Sequence, residues 1–187
     1  NLRRIIYLSS SEVYGSLEGN IHESAPIGNT GTEYGDLKAE AEKICQEYIN
    51  KDLPIVIVRP SIVYGPYSDL WITRMVDRIK AGSLMNIKEL TQGNCNLVYI
   101  DDLVNQIFSI IEKNGIDGDI FNANGNEIIT WREYFELLSG LLNLYPQDND
   151  SPQSYFASLK SFGMDKFKQF ARWNLNHFND LIMKYYN

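Results

Sequence analysis

The stretch "PIVIV" (54–58) places four β-branched residues in a row after Pro54. A strand with one face in water alternates apolar and polar side chains, whereas an unbroken apolar run is typical of a strand covered on both faces. Strands of this kind belong to parallel sheets with helices packed on each side. Residues 54–58 therefore predict a central strand of an α/β domain.

Strand-like and helix-like segments alternate on both sides of this run, which predicts an α/β fold with a mainly parallel sheet. Further strands are expected at 5–9, 96–100 and 119–123. Helices are expected at 32–51, at about 70–81, from Asp101 or Asp102 through Lys113, and at 130–142. We expect Asp101 or Asp102 to cap the third helix, and "TWRE" (130–133) has the form of a capping box.

The composition limits the possible partners and compartments. The net charge of −7 argues against nucleic acid and anionic membranes, because both require clustered Lys and Arg. Cys45 and Cys95 lack metal-ligand spacing, so we expect a cytoplasmic protein without a metal. The length of 187 residues fits one domain, and an apolar run four residues after Asn1, without a leader pattern, indicates a piece of a longer protein.

Tyr34 and Lys38 are four residues apart on the predicted helix 32–51, so their side chains leave the same face. An ammonium group near a phenol favours the phenolate form, which allows a tyrosine to act as a general base near neutral pH. The pair is also compatible with a core tyrosine beside a surface lysine, because such pairs occur by chance in a chain with 12 tyrosines.

Several motifs, in order, support the catalytic interpretation of this pair. These stretches are "SSSEVYG" (9–15), "ESAPI" (23–27), "YGDLKAEAE" (34–42), "VRPSIVYGP" (58–66), "NLVYIDDLV" (96–104), "DIFNANGNEIIT" (119–130) and "RWNLNHFNDLIMKYY" (172–186). Together they resemble the extended short-chain dehydrogenase/reductase family, in particular its NAD-dependent epimerase/dehydratase branch.

The resemblance implies a role for four residues. Ser10 falls on the family's catalytic Ser/Thr, whose hydroxyl bonds the reacting sugar hydroxyl or keto oxygen. Tyr34 would be the base, and Lys38 would bond the nicotinamide ribose and hold Tyr34 ionised. Pro60 would lie beside the nicotinamide of NAD or NADP, and the substrate would be a nucleotide sugar.

Glu12 and Ser11 bear on the subclass. In dehydratases and decarboxylases of this family, a glutamate two residues after the catalytic Ser/Thr takes part in the second chemical step. Some relatives that are neither also carry Glu there, and Glu12 could simply bond nearby backbone amides. Ser11 stands where one dehydratase group has Asp and another has Ser, so the substrate-binding set Ser10, Ser11 and Glu12 permits dehydration without requiring it.

Three positions depart from the family pattern. Ile62 replaces a frequent Asn, Cys95 replaces a frequent Arg that meets the diphosphate, and Leu37 replaces a frequent Ser. The first two weaken the case for a nucleotide-diphosphate sugar, because arginine is a natural bidentate partner of phosphate. They make a carbonyl reductase of the same fold credible.

The sequence also lacks a glycine-rich turn between a strand and a helix, which dinucleotide binding requires. The glycine spacings at 28–35 and 115–118 have the wrong context. We therefore expect residues 1–187 to be one piece: the C-terminal part of an NAD-dependent epimerase/dehydratase domain, without its glycine-rich N-terminal half. The expected fold is a partial Rossmann-like parallel sheet with helices plus a small C-terminal substrate-binding portion.

The sequence thus favours an epimerase or dehydratase that works through Tyr-assisted hydride transfer and a keto intermediate, homodimeric at full length. A carbonyl reductase remains an alternative, as does a non-catalytic scaffold that has lost cofactor binding. A scaffold, however, has no physical need for Ser10, Tyr34 and Lys38 together.

Overall fold

The computed structural model of the chain describes residues 2–82, 93–126 and 128–141. It confirms an α/β fold with a parallel, Rossmann-like sheet and helices. The predicted polar segment 145–152 and the C-terminal element 172–186 lie outside the described residues. In chain order the elements are β1 (Ile5–Leu8), α1 (Glu33–Ile49), β2 (Ile55–Pro60), β3 (Ile62–Tyr64), α2 (Arg74–Lys80), β4 (Asn94–Tyr99), α3 (Ile100–Glu112), β5 (Ile120–Ala123), β6 (Ile128–Thr130) and α4 (Trp131–Leu141).

The chain divides into two compact units, of which the first comprises residues 1–63 and 100–125. Its sheet has the order β1-β2-β5, and both strand pairs are parallel. Every residue of the central strand β2 is buried, and the side chains of Val56, Ile57 and Val58 are 0% exposed. The apolar run at 54–58 is therefore a strand covered on both faces, as its sequence predicts.

Helix α1 buries a different face from the one its apolar residues suggest. Its buried residues are Gly35, Ala39 and Glu42. The apolar stripe read from the sequence is largely exposed, with Leu37 at 64% and Ile44 at 50%. The face toward the sheet carries a carboxylate because a partner for it is buried there, as described below.

Arg4, at the N-terminal end of the first unit, binds residues at and after the end of α3. The guanidinium donates from Nε to a carboxylate oxygen of Asp117 at 2.6 Å, and from Nη1 to the carbonyl oxygens of Ile110 and Lys113. Cations at the C-terminal end of a helix stabilise it, because the last carbonyls lack intrahelical partners. Arg4 therefore fixes the end of α3 next to the start of β1.

The second unit comprises residues 64–99 and 126–187. In this unit β4 pairs with β6 in antiparallel fashion. The predicted capping box is confirmed: Thr130 N–H donates to the Glu133 carboxylate at 2.7 Å, and Glu133 N–H donates to Thr130 Oγ1 at 3.2 Å. A π-helix (Asp69–Thr73) precedes α2, where the sequence suggested one continuous helix.

The expected cap of α3 is wrong. The helix begins at Ile100, directly after β4, so Asp101 and Asp102 lie in its first turn. Carboxylates in the first turn still interact favourably with the helix dipole, which explains why their position resembled a cap. Within the ranges that the structure describes, no helix combines the length and apolar character needed to cross a membrane.

Candidate active site

The segment after β1 turns sharply at the carboxyl end of the sheet. A 3₁₀ turn spans Ser11–Tyr14, and the Ser10 hydroxyl caps it by accepting a hydrogen bond from Glu12 N–H at 3.2 Å. Gly15 ends the turn with a φ of 61°, and a Cβ there would lie 3.1 Å from the Cα of Thr30. The turn therefore requires glycine at this position, both for its backbone angle and for the close approach of Thr30.

Thr32 links this turn to the start of α1. Its hydroxyl accepts a hydrogen bond from Gly35 N–H at 3.1 Å, which caps the helix. The same hydroxyl donates to Oε1 of Glu12 at 2.6 Å. One side chain thus satisfies a free amide at the N-terminus of α1 and holds the Glu12 carboxylate beside that N-terminus, where negative charge is favoured.

Tyr34 and Lys38 lie together on α1, as a spacing of four residues predicts. The Lys38 Nζ atom is 5.7 Å from the ring centroid of Tyr34 and 5.3 Å from that of Tyr7. It donates to the carbonyl oxygen of Leu8 at 2.8 Å, at the end of β1. The Tyr34 side chain is 52% exposed, and its hydroxyl forms no hydrogen bond to any residue that the structure describes.

A buried polar network, which the sequence did not reveal, lies behind these residues. Arg59 and Glu42 form an ion pair of 2.6 Å with both side chains 2% exposed. Arg59 also donates from Nη1 to the Tyr14 hydroxyl at 2.6 Å, and that hydroxyl donates to Oδ1 of Asn122 at 2.7 Å. The hydrogen bond to Glu42 raises the pKa of Arg59 against the opposing effect of burial. The sequence signal was an arginine at the end of an otherwise apolar strand.

Glu23 completes the network from the loop between the 3₁₀ turn and α1. Its carbonyl oxygen accepts a hydrogen bond from Arg59 Nη1 at 2.9 Å, and its carboxylate accepts one from Asn122 N–H at 2.9 Å. The hydrogen bond from the Asn122 backbone lowers the pKa of the Glu23 carboxyl group. The loop is therefore held by partly buried polar contacts from β2 and β5.

The predicted site residues fit one end of a nicotinamide dinucleotide. Lys38 uses one of its three donor hydrogens on Leu8, which leaves capacity for ribose hydroxyls. The buried hydroxyls of Ser9 and Ser61 have no hydrogen-bond partner among the described residues, and they follow neighbouring strands at the edge where α/β sheets bind ligands. The structure places Pro60 at the end of β2. Among the described residues, however, no glycine-rich turn joins a strand to a helix to hold a pyrophosphate.

These features define the class: a Rossmann-like α/β domain with a Tyr-x-x-x-Lys pair beside the carboxyl end of its parallel sheet. The profile of the NAD dependent epimerase/dehydratase family matches residues 1–123, and the chain belongs to that family. The proteins to which this chain is similar include NAD-dependent dehydratases and epimerases of nucleotide sugars.

Two relatives and one solved structure illustrate the similarity. The dTDP-D-glucose 4,6-dehydratase of Dictyostelium discoideum is 31% identical over 135 residues, which cover 65% of this chain and 31% of the relative. The Homo sapiens enzyme of the same name is 33% identical over 129 residues, covering 67% and 36%. The UDP-glucuronic acid 4-epimerase of Bacillus cereus, solved with NAD, has a TM-score of 0.68 and 27% identity over 79% of this chain and 49% of that one. The chain spans about a third of the length of the two dehydratases that it matches.

Proposed function

We propose that the chain is the catalytic and substrate-side portion of an NAD(P)-dependent epimerase or dehydratase acting on a nucleotide sugar. The observation that carries the proposal is the cluster formed by Tyr34, Lys38 and the turn with Ser10 and Glu12. Thr32 joins this turn to α1 through its 2.6 Å hydrogen bond to Glu12. A hydroxyl, a carboxylate and a phenol–ammonium pair at one edge of a sheet suit proton transfer at a sugar hydroxyl.

Each residue would have a distinct part in the reaction. Ser10 would bond the sugar hydroxyl that is oxidised, and Tyr34 would take its proton. Lys38, held by Leu8, would keep positive charge beside the phenolate and bond a ribose hydroxyl. A nicotinamide, beside which Pro60 would lie, would supply the hydride acceptor. The product of this half-reaction is a keto sugar, from which epimerisation, dehydration or decarboxylation can follow.

Glu12 would decide the second step. Its carboxylate is exposed, and the Thr32 hydroxyl donates to one of its oxygens, so the other oxygen is available to a substrate proton. A carboxylate in this position could remove the proton next to a keto group, as elimination of water requires. Ser11, the neighbouring residue, could orient the departing group. This arrangement supports the dehydratase alternative over the epimerase alternative.

We also propose that the full-length protein contains a nucleotide-binding half that these 187 residues lack. A glycine-rich strand–turn–helix preceding this chain would hold the pyrophosphate, and the full-length protein would be a cytoplasmic homodimer. The chain by itself should then bind NAD+ no more tightly than about 1 mM, because the pyrophosphate contacts supply much of the affinity. Isothermal titration calorimetry of residues 1–187 with NAD+ tests this part, and micromolar binding would refute it.

Mass spectrometry of the full-length protein with NAD+ and a panel of nucleotide sugars tests the activity. A product lighter by about 18 mass units indicates dehydration, one lighter by about 44 indicates decarboxylation, and an isobaric product indicates epimerisation. Tyr34→Phe should abolish all of these conversions, whereas Tyr48→Phe, on the same helix, should not. Turnover of the Tyr34→Phe variant at the wild-type rate would contradict the assignment.

A carbonyl reductase of the same fold is the second candidate. The observation that favours it is Cys95, which is 0% exposed and so offers a diphosphate no contact where relatives often carry arginine. A reductase would consume one NAD(P)H for each product molecule, whereas an epimerase or dehydratase returns its cofactor unchanged. The absorbance at about 340 nm during turnover, which follows NAD(P)H, therefore separates the two candidates.

A further inference from the structure

The ion pair between Arg59 and Glu42 has no evident chemical part in the proposed reaction. Both side chains are 2% exposed, so neither is accessible to a substrate. Two Arg59 nitrogens contact the Glu42 carboxylate, Nε at 2.9 Å and Nη2 at 2.6 Å. Because a buried ion pair can often be replaced by apolar residues without loss of stability, its presence here calls for an explanation other than stability.

The pair contacts every segment that carries a proposed site residue. Glu42 follows Lys38 by one helical turn and Tyr34 by two, on the same side of α1. Arg59 directly precedes Pro60 at the end of β2. The third segment is the turn after β1, which joins the network through Tyr14.

Tyr14 belongs to the same 3₁₀ turn as Ser11 and Glu12, and its side chain is 6% exposed. Its hydroxyl accepts from Arg59 and donates to Asn122, and its ring packs against the guanidinium, with Arg59 Cζ 4.8 Å from the ring centroid. Asn122 in turn donates to the carbonyl oxygen of Ile21 at 3.2 Å. The buried side of the turn is thus fixed to β2 and β5 through Tyr14, and its exposed side is held by the hydrogen bond from the Thr32 hydroxyl to Glu12.

We propose that Arg59, Glu42 and Tyr14 are positioning residues, which set the distance between the turn bearing Ser10 and Glu12 and the helix bearing Tyr34 and Lys38. This proposal rests on the proposed function. None of the three touches the reacting atoms, and they act through the backbone of the turn and of α1. Displacements of about 1 Å between reacting groups can lower turnover about a hundredfold, so a buried network that fixes this separation has a catalytic effect.

Tyr14→Phe in the full-length protein is the first test. It removes the hydroxyl that bridges Arg59 and Asn122 but keeps the ring and the ion pair. With NAD+ and dTDP-glucose as the probe, kcat should fall about tenfold or more while KM changes less than about twofold, because binding groups remain in place. Tyr48→Phe is the matched control, because Tyr48 lies on α1 outside the network and contacts Lys51.

The double variant Glu42→Leu with Arg59→Met removes the charges together. Replacing both partners by apolar residues of similar volume avoids leaving one charge unpaired, so the protein should stay folded. Its kcat should fall as that of Tyr14→Phe does, although this variant keeps the Tyr14 hydroxyl and its partner Asn122. A folded double variant with wild-type kcat would overturn the proposal.

Hydrogen exchange measured by mass spectrometry separates this proposal from the proposed function. In Tyr14→Phe, amides of residues 10–27 should exchange about tenfold faster, while those of 39–49 in α1 should not change. Unchanged exchange in 10–27 would overturn the proposal, as would faster exchange with wild-type kcat. If the wild type does not convert dTDP-glucose, that negative result counts against the proposed function alone, and the exchange data decide whether the network holds the turn.

Discussion

Gly35, next to the proposed catalytic tyrosine, offers a test in which one substitution should have opposite effects in two backgrounds. In an open helix, replacing Gly by Ala stabilises by about 1 kcal/mol, because Ala loses less backbone entropy on folding. At Gly35, however, a Cβ would lie 2.4 Å from Oγ1 and 2.8 Å from Cβ of Thr30. Rotation of the Thr30 side chain moves Oγ1 but not Cβ, so the backbone must shift.

Overpacking of this kind typically costs about 1–3 kcal/mol, so Gly35→Ala should destabilise the protein by up to about 2 kcal/mol after the gain in helix propensity is subtracted. The shift would also disturb the contacts that Thr30 makes with Asp36, whose carboxylate accepts from Thr30 N–H at 2.8 Å and from its hydroxyl at 3.0 Å. Thr30→Gly removes the three atoms that lie nearest to the new Cβ, namely Oγ1, Cβ and Cγ2 of Thr30. In that background, Gly35→Ala should stabilise the protein by about 0.5–1 kcal/mol.

Urea denaturation of the four full-length proteins in this double-mutant cycle gives the two values and their difference. The coupling energy should be about 2 kcal/mol, which is within the range measured for residues in contact. The steric argument would be refuted if Gly35→Ala stabilised the protein that retains Thr30, or if the substitution had the same effect with Thr30 and with Thr30→Gly. Gly115→Ala is not a suitable control because its φ is 73°, whereas Lys43→Ala is an exposed helical position without this clash.

Three further predictions concern other contacts. Arg4→Met should lower the free energy of unfolding by about 2 kcal/mol, because the last carbonyls of α3 lose a charged donor, and Arg4→Lys should recover part of it in urea titrations. Thr32→Val should cost about 1 kcal/mol through loss of the cap, measured in the same way, and should lower turnover by releasing Glu12, whereas Thr32→Ser should do neither. Burial raises the pKa of the Cys95 thiol to about 12. Because the unfolded thiol ionises near pH 9, stability should fall by up to about 1.4 kcal/mol per pH unit above that pH, with a smaller slope in Cys95→Ala; an unchanged slope would contradict this.

The elements that the sequence predicted well are those whose signal is local. The β-branched run of β2 indicates burial on both faces, and Thr130 and Glu133 form the capping box that their spacing of three predicts. Strands β3 and β6, with three residues each, are too short for a periodic pattern. Strand β6 forms because β4 lies beside it, which is a property of the folded chain.

The site was predictable in part for the same reason. Tyr34 and Lys38 are one helical turn apart, so their proximity follows from the helix itself. The bond between Thr32 and Glu12 joins residues 20 apart, and Glu42 reads as a surface glutamate until its partner Arg59 is known. The apolar residues of α1 mislead for a related reason, since the buried side of this helix is selected by Arg59 and by small residues such as Ala39.

The first unit is assembled from two separated stretches of chain, and this has a consequence for its synthesis. Strand β5 begins 60 residues after β2 ends, counting from Pro60 to Ile120. At about 5–20 residues per second, the ribosome delivers β5 about 3–12 s after β2. During that interval the nascent chain can pair β1 with β2 and join Arg59 to Glu42, but Tyr14 and Glu23 still lack Asn122. The turn that carries Ser10 and Glu12 would therefore be among the last parts of the unit to become rigid, and until then the free edge of β2 is the place where a chaperone or a neighbouring nascent chain could bind.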